Sequence, residues 1–270
     1  MSVVTRENVV YATVGDHDLH MNLAWPENPP VLPMPVVAWM HGGGWCGGDH
    51  LGDENLPLAE RGYFTANIEY RLSQEAIFPA QIHDCKAAIR YLRAHAAQFR
   101  LDPAHIGVWG SSAGGHLSAL LGTSAGAPEL EGDLGYLDHS SAVQAVVNFC
   151  GPSDLTQILQ GQPEIEVLVE IMDQFMGGPL AERLELARSG SPLTYVGPGS
   201  APFLIIHGDC DEIVPLNQSE RLDAALREAG VESTLIYAKG AGHAIGPESD
   251  PTPEQLLQMS IEFFDRHLKR

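Results

Sequence analysis

The sequence is poor in basic residues: 15 Lys and Arg stand against 35 Asp and Glu, which gives a net charge of −20 over 270 residues. Such an acidic chain repels nucleic acid and anionic membrane surfaces. The chain also lacks the run of about 20 apolar residues that a membrane-spanning helix needs. Residues Met1–Asn8 show no basic-then-apolar signal pattern. We therefore expect a cytoplasmic protein whose partners include neither nucleic acid nor membranes.

Cysteine is scarce as well. The four cysteines are Cys46, Cys85, Cys150 and Cys210, and they lie far apart without a CxxC pair. This spacing argues against a disulfide framework, so we expect buried free thiols and no metal. Cys46 and Cys210 lie beside the motifs described below and are expected to line the site.

Apolar runs alternate with helical patterns along the chain, which is typical of βα units around a mostly parallel sheet. The first two runs are predicted to pair as an antiparallel hairpin. Strands are predicted at Val9–Val14, Leu19–Trp25, Val36–Met40, Tyr63–Glu69, Ile106–Trp109, Val143–Phe149, Phe203–Ile206 and Thr234–Tyr237. Helices are predicted at Pro79–Ala97, Ala113–Leu121, Leu216–Ala229 and Pro253–Leu268. The predicted fold class is α/β, with helices on both faces of the sheet.

One interval, Ser153–Gly190, interrupts this alternation. It has no strand pattern and two weak helical patterns, at Glu164–Met176 and Ala181–Ser189. Because it lies between two predicted strands, we expect it to cover the carboxyl edge of the sheet. We predict a single domain over residues 1–270, with residues 153–190 inserted as a small helical lid.

The stretch Gly110-Ser111-Ser112-Ala113-Gly114 fits the pattern G-x-S-x-G between a predicted strand and a predicted helix. A nucleophile on such a tight turn projects above the sheet, and small flanking residues let neighbouring chains approach. The pattern selects Ser112 as the nucleophile. Ser111 is interpreted as a turn residue.

A glycine run follows an earlier predicted strand, in the stretch His41-Gly42-Gly43-Gly44-Trp45. Acyl transfer passes through an oxyanion that needs pre-placed donors, and glycine lets backbone N–H groups approach a ligand closely. We predict an oxyanion hole formed by the N–H groups of Gly43, Gly44 and Ala113. His41 is expected to shape the loop, and Trp45 and Cys46 are expected to form a wall of the substrate pocket.

A serine hydroxyl becomes a good nucleophile only beside a base, and a carboxylate orients that base. Where the nucleophile stands in a G-x-S-x-G turn between a strand and a helix, the order along the chain is nucleophile, acid, histidine. His243 fits best because it follows a predicted strand in the small-residue loop "KGAGHAIG". The other downstream histidines, which fit less well, are His116, His139, His207 and His267.

The stretch "HGDCDEIVP" follows the predicted strand Phe203–Ile206 and offers three acids, Asp209, Asp211 and Glu212. Asp211 fits the pattern HG-x-x-D-x-x-VP and is our predicted acid. Asp209 is the alternative, and we expect it to support the turn.

With these motifs the chain resembles the α/β-hydrolase superfamily, and within it the bacterial esterases grouped with the bifunctional acetylxylan/feruloyl esterases. Further matching stretches are "GWCGGD" (44–49), "EYRL" (69–72), "FPAQIHDCKAAIRYLR" (78–93) and "GSSAGGHL" (110–117). The hormone-sensitive-lipase-like group shares HGGG and GxSAGG but has a different acid motif, and the kynurenine formamidases share an HGG-x-W loop. The resemblance implies an α/β-hydrolase fold with a Ser112–His243–Asp211 triad.

The function expected from these features is that of a serine carboxylesterase. It would cleave short-chain, acetyl-like esters of small molecules through an acyl-enzyme, without a metal or cofactor. The alternatives are an amidase of the arylformamidase type, an acetylxylan/feruloyl esterase, and a binding protein on a hydrolase scaffold. The binding protein is disfavoured because every member of the triad is present. A homodimer stays open as the oligomeric state.

Overall fold

The computed structural model describes residues 2–31, 33–159 and 166–269, and within them eight strands form one sheet. The strands are β1 (Val3–Val14), β2 (His17–Pro26), β3 (Met34–Met40), β4 (Phe64–Ile68), β5 (Leu101–Ser111), β6 (Ala145–Phe149), β7 (Phe203–Gly208) and β8 (Ser233–Ala238). Their order in the sheet is β1-β2-β4-β3-β5-β6-β7-β8. Strands β1 and β2 pair antiparallel, β2 pairs antiparallel with β4, and every later pair is parallel. The predicted α/β class and the entry hairpin are confirmed.

The helices lie between the strands. They are α1 (Leu56–Ala59), α2 (Ala80–Ala94), α3 (Ala96–Phe99), α4 (Ala113–Thr123), α5 (Pro128–Glu131), α6 (Glu166–Met176), α7 (Leu184–Ser189), α8 (Asn217–Glu228) and α9 (Pro253–Leu268). The four long helices predicted from the apolar spacing correspond to α2, α4, α8 and α9. The short helices α1, α3 and α5 carry too few turns to produce a periodic signal. Among the described residues, no helix combines the length and apolar character needed to cross a bilayer.

Both faces of the sheet are buried, which explains why β3 reads as an unbroken apolar run. Val36, Ala38 and Met40 belong to the core on the face covered by α2, α4 and α8. Val37 and Trp39 alternate with them and belong to the core on the face covered by α1 and α9. The carboxyl ends of the central strands therefore meet along one edge between two helical layers.

The inserted segment follows β6 and precedes β7. Helix α6 matches the described part of the predicted helix Glu164–Met176, and residues 160–165 lie outside the described residues. The second predicted helix, Ala181–Ser189, is wrong in its continuity. A 3₁₀ turn at Leu180–Glu182 comes first, and α7 begins only after Arg183, whose φ of −118° and ψ of 22° depart from helical values.

Candidate active site

The serine selected by the sequence pattern lies in the sharp turn between β5 and α4. Ser112 has φ 55° and ψ −118°, a left-handed conformation that is costly for a residue with a side chain. Its backbone N–H donates to the carbonyl of Phe149 at 2.8 Å, which ties the turn to the end of β6. The turn is thus held from the neighbouring strand.

Gly114 lets α4 lie directly on β3. A Cβ at this position would come within 2.0 Å of the Met40 carbonyl oxygen and 2.5 Å of the His41 carbonyl oxygen. These are backbone atoms at the end of the strand, so they cannot move aside cheaply. The second glycine of G-x-S-x-G is required by this close approach.

The structure brings Ser112, His243 and Asp211 together from three different turns. The Oγ of Ser112 lies 3.0 Å from Nε2 of His243, and Nδ1 of the same ring lies 2.8 Å from Oδ2 of Asp211. Both distances are those of hydrogen bonds. The arrangement can move a proton from the serine hydroxyl to an imidazole whose other nitrogen is fixed by a carboxylate.

The two aspartates of the "HGDCDEIVP" turn have different partners. The buried Asp211 also accepts, at Oδ1, the backbone N–H groups of Ile213 at 2.8 Å and Val214 at 2.9 Å. Asp209 accepts the N–H of Gly240 at 2.7 Å and supports the loop that follows strand β8. The geometry favours Asp211 as the carboxylate that faces His243.

Sequence reasoning missed a second histidine beside this acid. His207 is fully buried, with Nε2 3.1 Å from Oδ2 of Asp211 and Nδ1 2.7 Å from Oγ of Ser219. His207 fits less well as the base, because it lies only four residues before the acid. The same proximity, with the ring at the end of a buried strand, is the signal that could have identified it as a support for Asp211.

The charges of the pair follow from these contacts. Burial opposes ionisation of Asp211, but the hydrogen bonds from His207 and His243 outweigh it and hold the pKa of the Asp211 carboxyl well below its usual range. Burial likewise opposes the charged form of His243, yet the bond to Asp211 raises the pKa of His243 above its usual value. Asp211 is therefore a carboxylate near neutral pH and stabilises an imidazolium beside it.

The glycine loop faces the same serine. Gly43 has φ 106°, and a Cβ there would meet the Gly47 carbonyl oxygen at 2.3 Å, so the tight loop requires glycine. Gly43, Gly44 and Ser112 line one cavity of about 430 Å³. Ala113 begins α4 directly after the serine, at the helix end whose first N–H groups lack intrahelical partners. Backbone donors are thus gathered around Ser112.

Trp45 lines this cavity and is fixed from behind by His116. The indole N–H of Trp45 donates to Nδ1 of His116 at 3.1 Å, while Nε2 of His116 donates to the carbonyl of Gly190 at 2.7 Å. Burial lowers the pKa of His116 to about 4, so the ring is neutral. The ring of Phe175, from α6, stacks on Trp45 with 4.2 Å between centroids. His116 therefore links the nucleophile helix, the glycine loop and the end of the inserted segment.

Cys46 does not match its prediction as a pocket residue. It is not among the described residues that line the cavity, and its Sγ lies 3.5 Å from the Gly43 carbonyl because the loop folds back after Trp45. His41 shapes the loop as expected, with Nδ1 2.8 Å from the Gly42 carbonyl and its ring stacked on Tyr70. Cys210 is exposed, which corrects the expectation of a buried thiol there.

Three side chains in the described residues could hold a metal ion together. One donor atom from each of Cys150, Asp211 and His243 lies within 4.8 Å of the other two. Two of these residues form the hydrogen-bonded relay to Ser112. A cation at this position would therefore compete with proton transfer.

The sheet order, a nucleophile turn between β5 and α4, and acid and histidine after β7 and β8 together define an α/β-hydrolase. The model of the family described as BD-FAE matches residues 21–226. The chain belongs to the BD-FAE family, and the resemblance to bacterial esterases is confirmed. Both this fold and this family are those of hydrolases.

Individual relatives agree with this membership. Esterase LipQ of Mycobacterium tuberculosis is 34% identical over 226 residues, which cover 81% of this chain and 52% of LipQ. The chain thus spans about half the length of that curated relative. A truncated carbohydrate esterase from gut microbiota superimposes with a TM-score of 0.86 at 30% identity, covering 99% of this chain and 97% of that one. A thermophilic esterase of Thermogutta terrifontis with bound butyrate superimposes with a TM-score of 0.75 at 26% identity, covering 96% of this chain and 92% of that one.

Proposed function

We propose that this chain is a serine carboxylesterase that cleaves short-chain acyl esters of small molecules. The observation that carries the proposal is the continuous relay from Ser112 Oγ through His243 to Asp211, with bonds of 3.0 Å and 2.8 Å. The relatives named as esterases support the reaction class. Butyrate in a structural relative supports a short acyl group.

In the proposed mechanism, Ser112 attacks the ester carbonyl carbon while His243 accepts its proton. The N–H groups of Gly43, Gly44 and Ala113 hold the oxyanion, and Asp211 stabilises the imidazolium. His243 then returns the proton to the leaving alcohol as the carbon–oxygen bond breaks. A water molecule, activated by His243, releases the acyl group and regenerates Ser112.

We propose that residues 153–190 act as the lid of this site, within one domain. Ile158, Leu168 and Ile171 of this segment line the cavity that holds Ser112. Ile213 and Val214 line the same cavity from the turn after β7. These branched apolar side chains suit a short aliphatic acyl group. The carbohydrate esterase relative favours one second candidate, an acetyl ester of a carbohydrate.

The test is the initial rate of hydrolysis of p-nitrophenyl acetate, butyrate, octanoate and laurate, with Ser112→Ala alongside the native chain. We expect the two short esters to react fastest and the variant to lose turnover by roughly a millionfold. Ser200→Ala is the matched control, because Ser200 does not line the cavity around Ser112, and it should retain most of the activity. Hydrolysis that survives in Ser112→Ala would overturn the nucleophile, and rates that rise towards laurate would overturn the short-chain proposal.

A further inference from the structure

A second cavity, of about 640 Å³, opens on the far side of His243. It shares Ser111, His243 and Ala244 with the cavity around Ser112, but it contains neither Ser112 nor the glycine loop. The two spaces therefore meet at the ring that is proposed to carry the proton. Its volume lies in the range of roughly 300–1,000 Å³ that is common for small-molecule sites.

The walls of this second cavity are mainly apolar and lie on the face of the sheet that α1 and α9 cover. Trp39 and Trp109, on β3 and β5, pack edge to face with 4.9 Å between their centroids. Phe149 lies at the end of β6, and Leu256 and Leu257 come from the first two turns of α9. Large flat and branched surfaces of this kind suit an aromatic or bulky aliphatic group.

Contacts within the protein hold this wall in place. Trp109 is held by a bond of 2.8 Å from its indole N–H to Oδ1 of Asn55. Helix α9 starts in a capping box, in which the Thr252 side chain accepts from the Gln255 backbone and the Gln255 side chain accepts from the Thr252 backbone. Little ordering is needed when a ligand enters such a site, which favours binding.

The polar side chains that line this cavity are mostly acidic. Asp53, Glu54 and Glu60 line it and are exposed to solvent. The chain as a whole carries a net charge of −20. A carboxylate-bearing ligand would be repelled at the entrance, whereas a neutral or cationic one would not.

We propose that this second cavity binds the alcohol half of the ester, and that the preferred alcohols are bulky, apolar or aromatic, and neutral or cationic. This inference rests on the proposed function. The carbonyl carbon of the ester must lie at Ser112, with the carbonyl oxygen towards Gly43 and Gly44. The alcohol oxygen must then face Nε2 of His243, which returns the proton to it. Beyond that ring, the space open to the rest of the alcohol is the second cavity.

The first experiment compares acetate esters of ethanol, 2-phenylethanol and 2-(2-naphthyl)ethanol. All three leave as primary alkoxides of similar basicity, so differences in kcat/KM report binding of the alcohol half. Burial of one methylene-sized group contributes about fourfold. We expect kcat/KM to rise at least roughly 30-fold from ethyl to naphthylethyl acetate, allowing for incomplete burial. Equal values for the three esters would overturn the proposal.

Variants then locate the effect. Leu257→Trp and Ile245→Trp each place a large ring in the wall, from α9 and from the loop before it. We expect either variant to bring the ratio of naphthylethyl to ethyl acetate close to one. Met259→Trp is the matched control, because Met259 lies on the same helix, is 36% exposed and does not line the cavity. If the ratio of naphthylethyl to ethyl acetate stayed as large in both wall variants as in the native chain, the assignment would be overturned. It would also be overturned if moving the aromatic group from the alcohol half to the acyl half of the ester raised kcat/KM by the same factor.

A binding measurement separates this inference from the proposed esterase activity. Calorimetric titration of Ser112→Ala with 2-(2-naphthyl)ethanol needs no turnover, and we expect binding that Leu257→Trp weakens at least roughly tenfold. If Ser112→Ala still hydrolysed esters while this binding held, the proposed mechanism would fail and the cavity would stand. If esterase activity depended on Ser112 but no alcohol bound, the cavity assignment alone would fail.

The acidic rim is tested with phenylethyl acetates that carry a para-aminomethyl or a para-carboxylate group. We expect the cationic ester to exceed the anionic one by about tenfold in kcat/KM at low salt, with a smaller gap at high salt. Glu54→Gln combined with Glu60→Gln should narrow the same gap. A faster anionic ester would overturn the stated charge preference.

Discussion

Different forces hold the two walls of the cleft around Ser112. The acid–base wall, formed by His207, Asp211 and His243, is a hydrogen-bonded network around a buried carboxylate. The donor wall, formed by the glycine loop and α6, is held largely by packing, with Trp45 stacked on Phe175 and the Ile171 side chain lying over Gly44. A polar network fails when a charge or a proton changes. A packed wall can yield by small movements, so the two walls should respond differently to substitution.

The largest expected effect is on the acid–base wall, from Asp211→Asn. The amide keeps the shape of the side chain but no longer fixes the proton on Nδ1 of His243. In serine proteases the corresponding change lowers kcat by about 10⁴. We expect a loss of similar size in kcat for p-nitrophenyl acetate. Asp209→Asn, two residues away, is the matched control and should cost less than about tenfold, since its carboxylate bonds to the Gly240 N–H instead.

The same pair of residues fixes the direction of a pH effect. His243 must be neutral to accept the serine proton, so activity falls as pH drops through its pKa. Because Asp211 raises that pKa, the acidic limb of kcat/KM should lie above the ordinary histidine range. Removing the negative charge in Asp211→Asn should shift the limb to lower pH. Two results would contradict the role given to Asp211. One is an acidic limb of kcat/KM that stays at the same pH in Asp211→Asn, and the other is an equal loss of activity in Asp209→Asn.

The next effect concerns the contact between α4, which follows Ser112, and the end of β3, where the glycine loop begins. Gly114→Ala would press a methyl group against the Met40 carbonyl at the point where the glycine loop begins. Since backbone must move, we expect a loss of about 3 kcal/mol or more in the free energy of unfolding. Denaturant unfolding measures it. Gly199→Ala is the control, because nothing lies within 4 Å of its Cβ position. Equal stability of the two variants would show that α4 can withdraw from β3 without cost.

Low pH should also destabilise the donor wall, because His116 supports Trp45. Its pKa is about 4 in the folded chain against 6.5 for an ordinary histidine, so the unfolded chain binds the proton more readily. Stability from this residue is therefore complete above pH 6.5 and declines as pH falls towards 4, by ~3 kcal/mol over the window. His116→Gln can retain both hydrogen bonds without titrating, and it should remove that share of the decline. If the free energy of unfolding fell equally with pH in His116→Gln and in the native chain, the result would argue against a buried neutral His116.

Sequence reasoning was most successful where the backbone itself dictates a residue type. The turn at Ser112 and the loop at Gly43 impose small residues at fixed spacing, and the unbroken apolar run of β3 indicates that both faces of the sheet are buried. His207 and the bonds from Trp45 to His116 and on to Gly190 escaped it, because these contacts join elements whose relative positions no local pattern records. Cys46 was misplaced for a similar reason, since one reversal of the chain after Trp45 decides which way the thiol points.

The smallest expected effect is the one that distinguishes the walls best. Ile171→Ala removes the side chain that lies over Gly44 and lines the cavity, but no hydrogen bond or charge is lost. Because Ile171 is half-buried, we expect a cost of about 1–2 kcal/mol in unfolding free energy and less than about a tenfold loss in kcat/KM. Val169→Ala, exposed on the same helix, is the control and should change neither quantity measurably. If Ile171→Ala lost as much activity as Asp211→Asn, the donor wall would be as sensitive to substitution as the acid–base wall. Packing alone would then position the oxyanion donors as strictly as the charge of Asp211 positions His243.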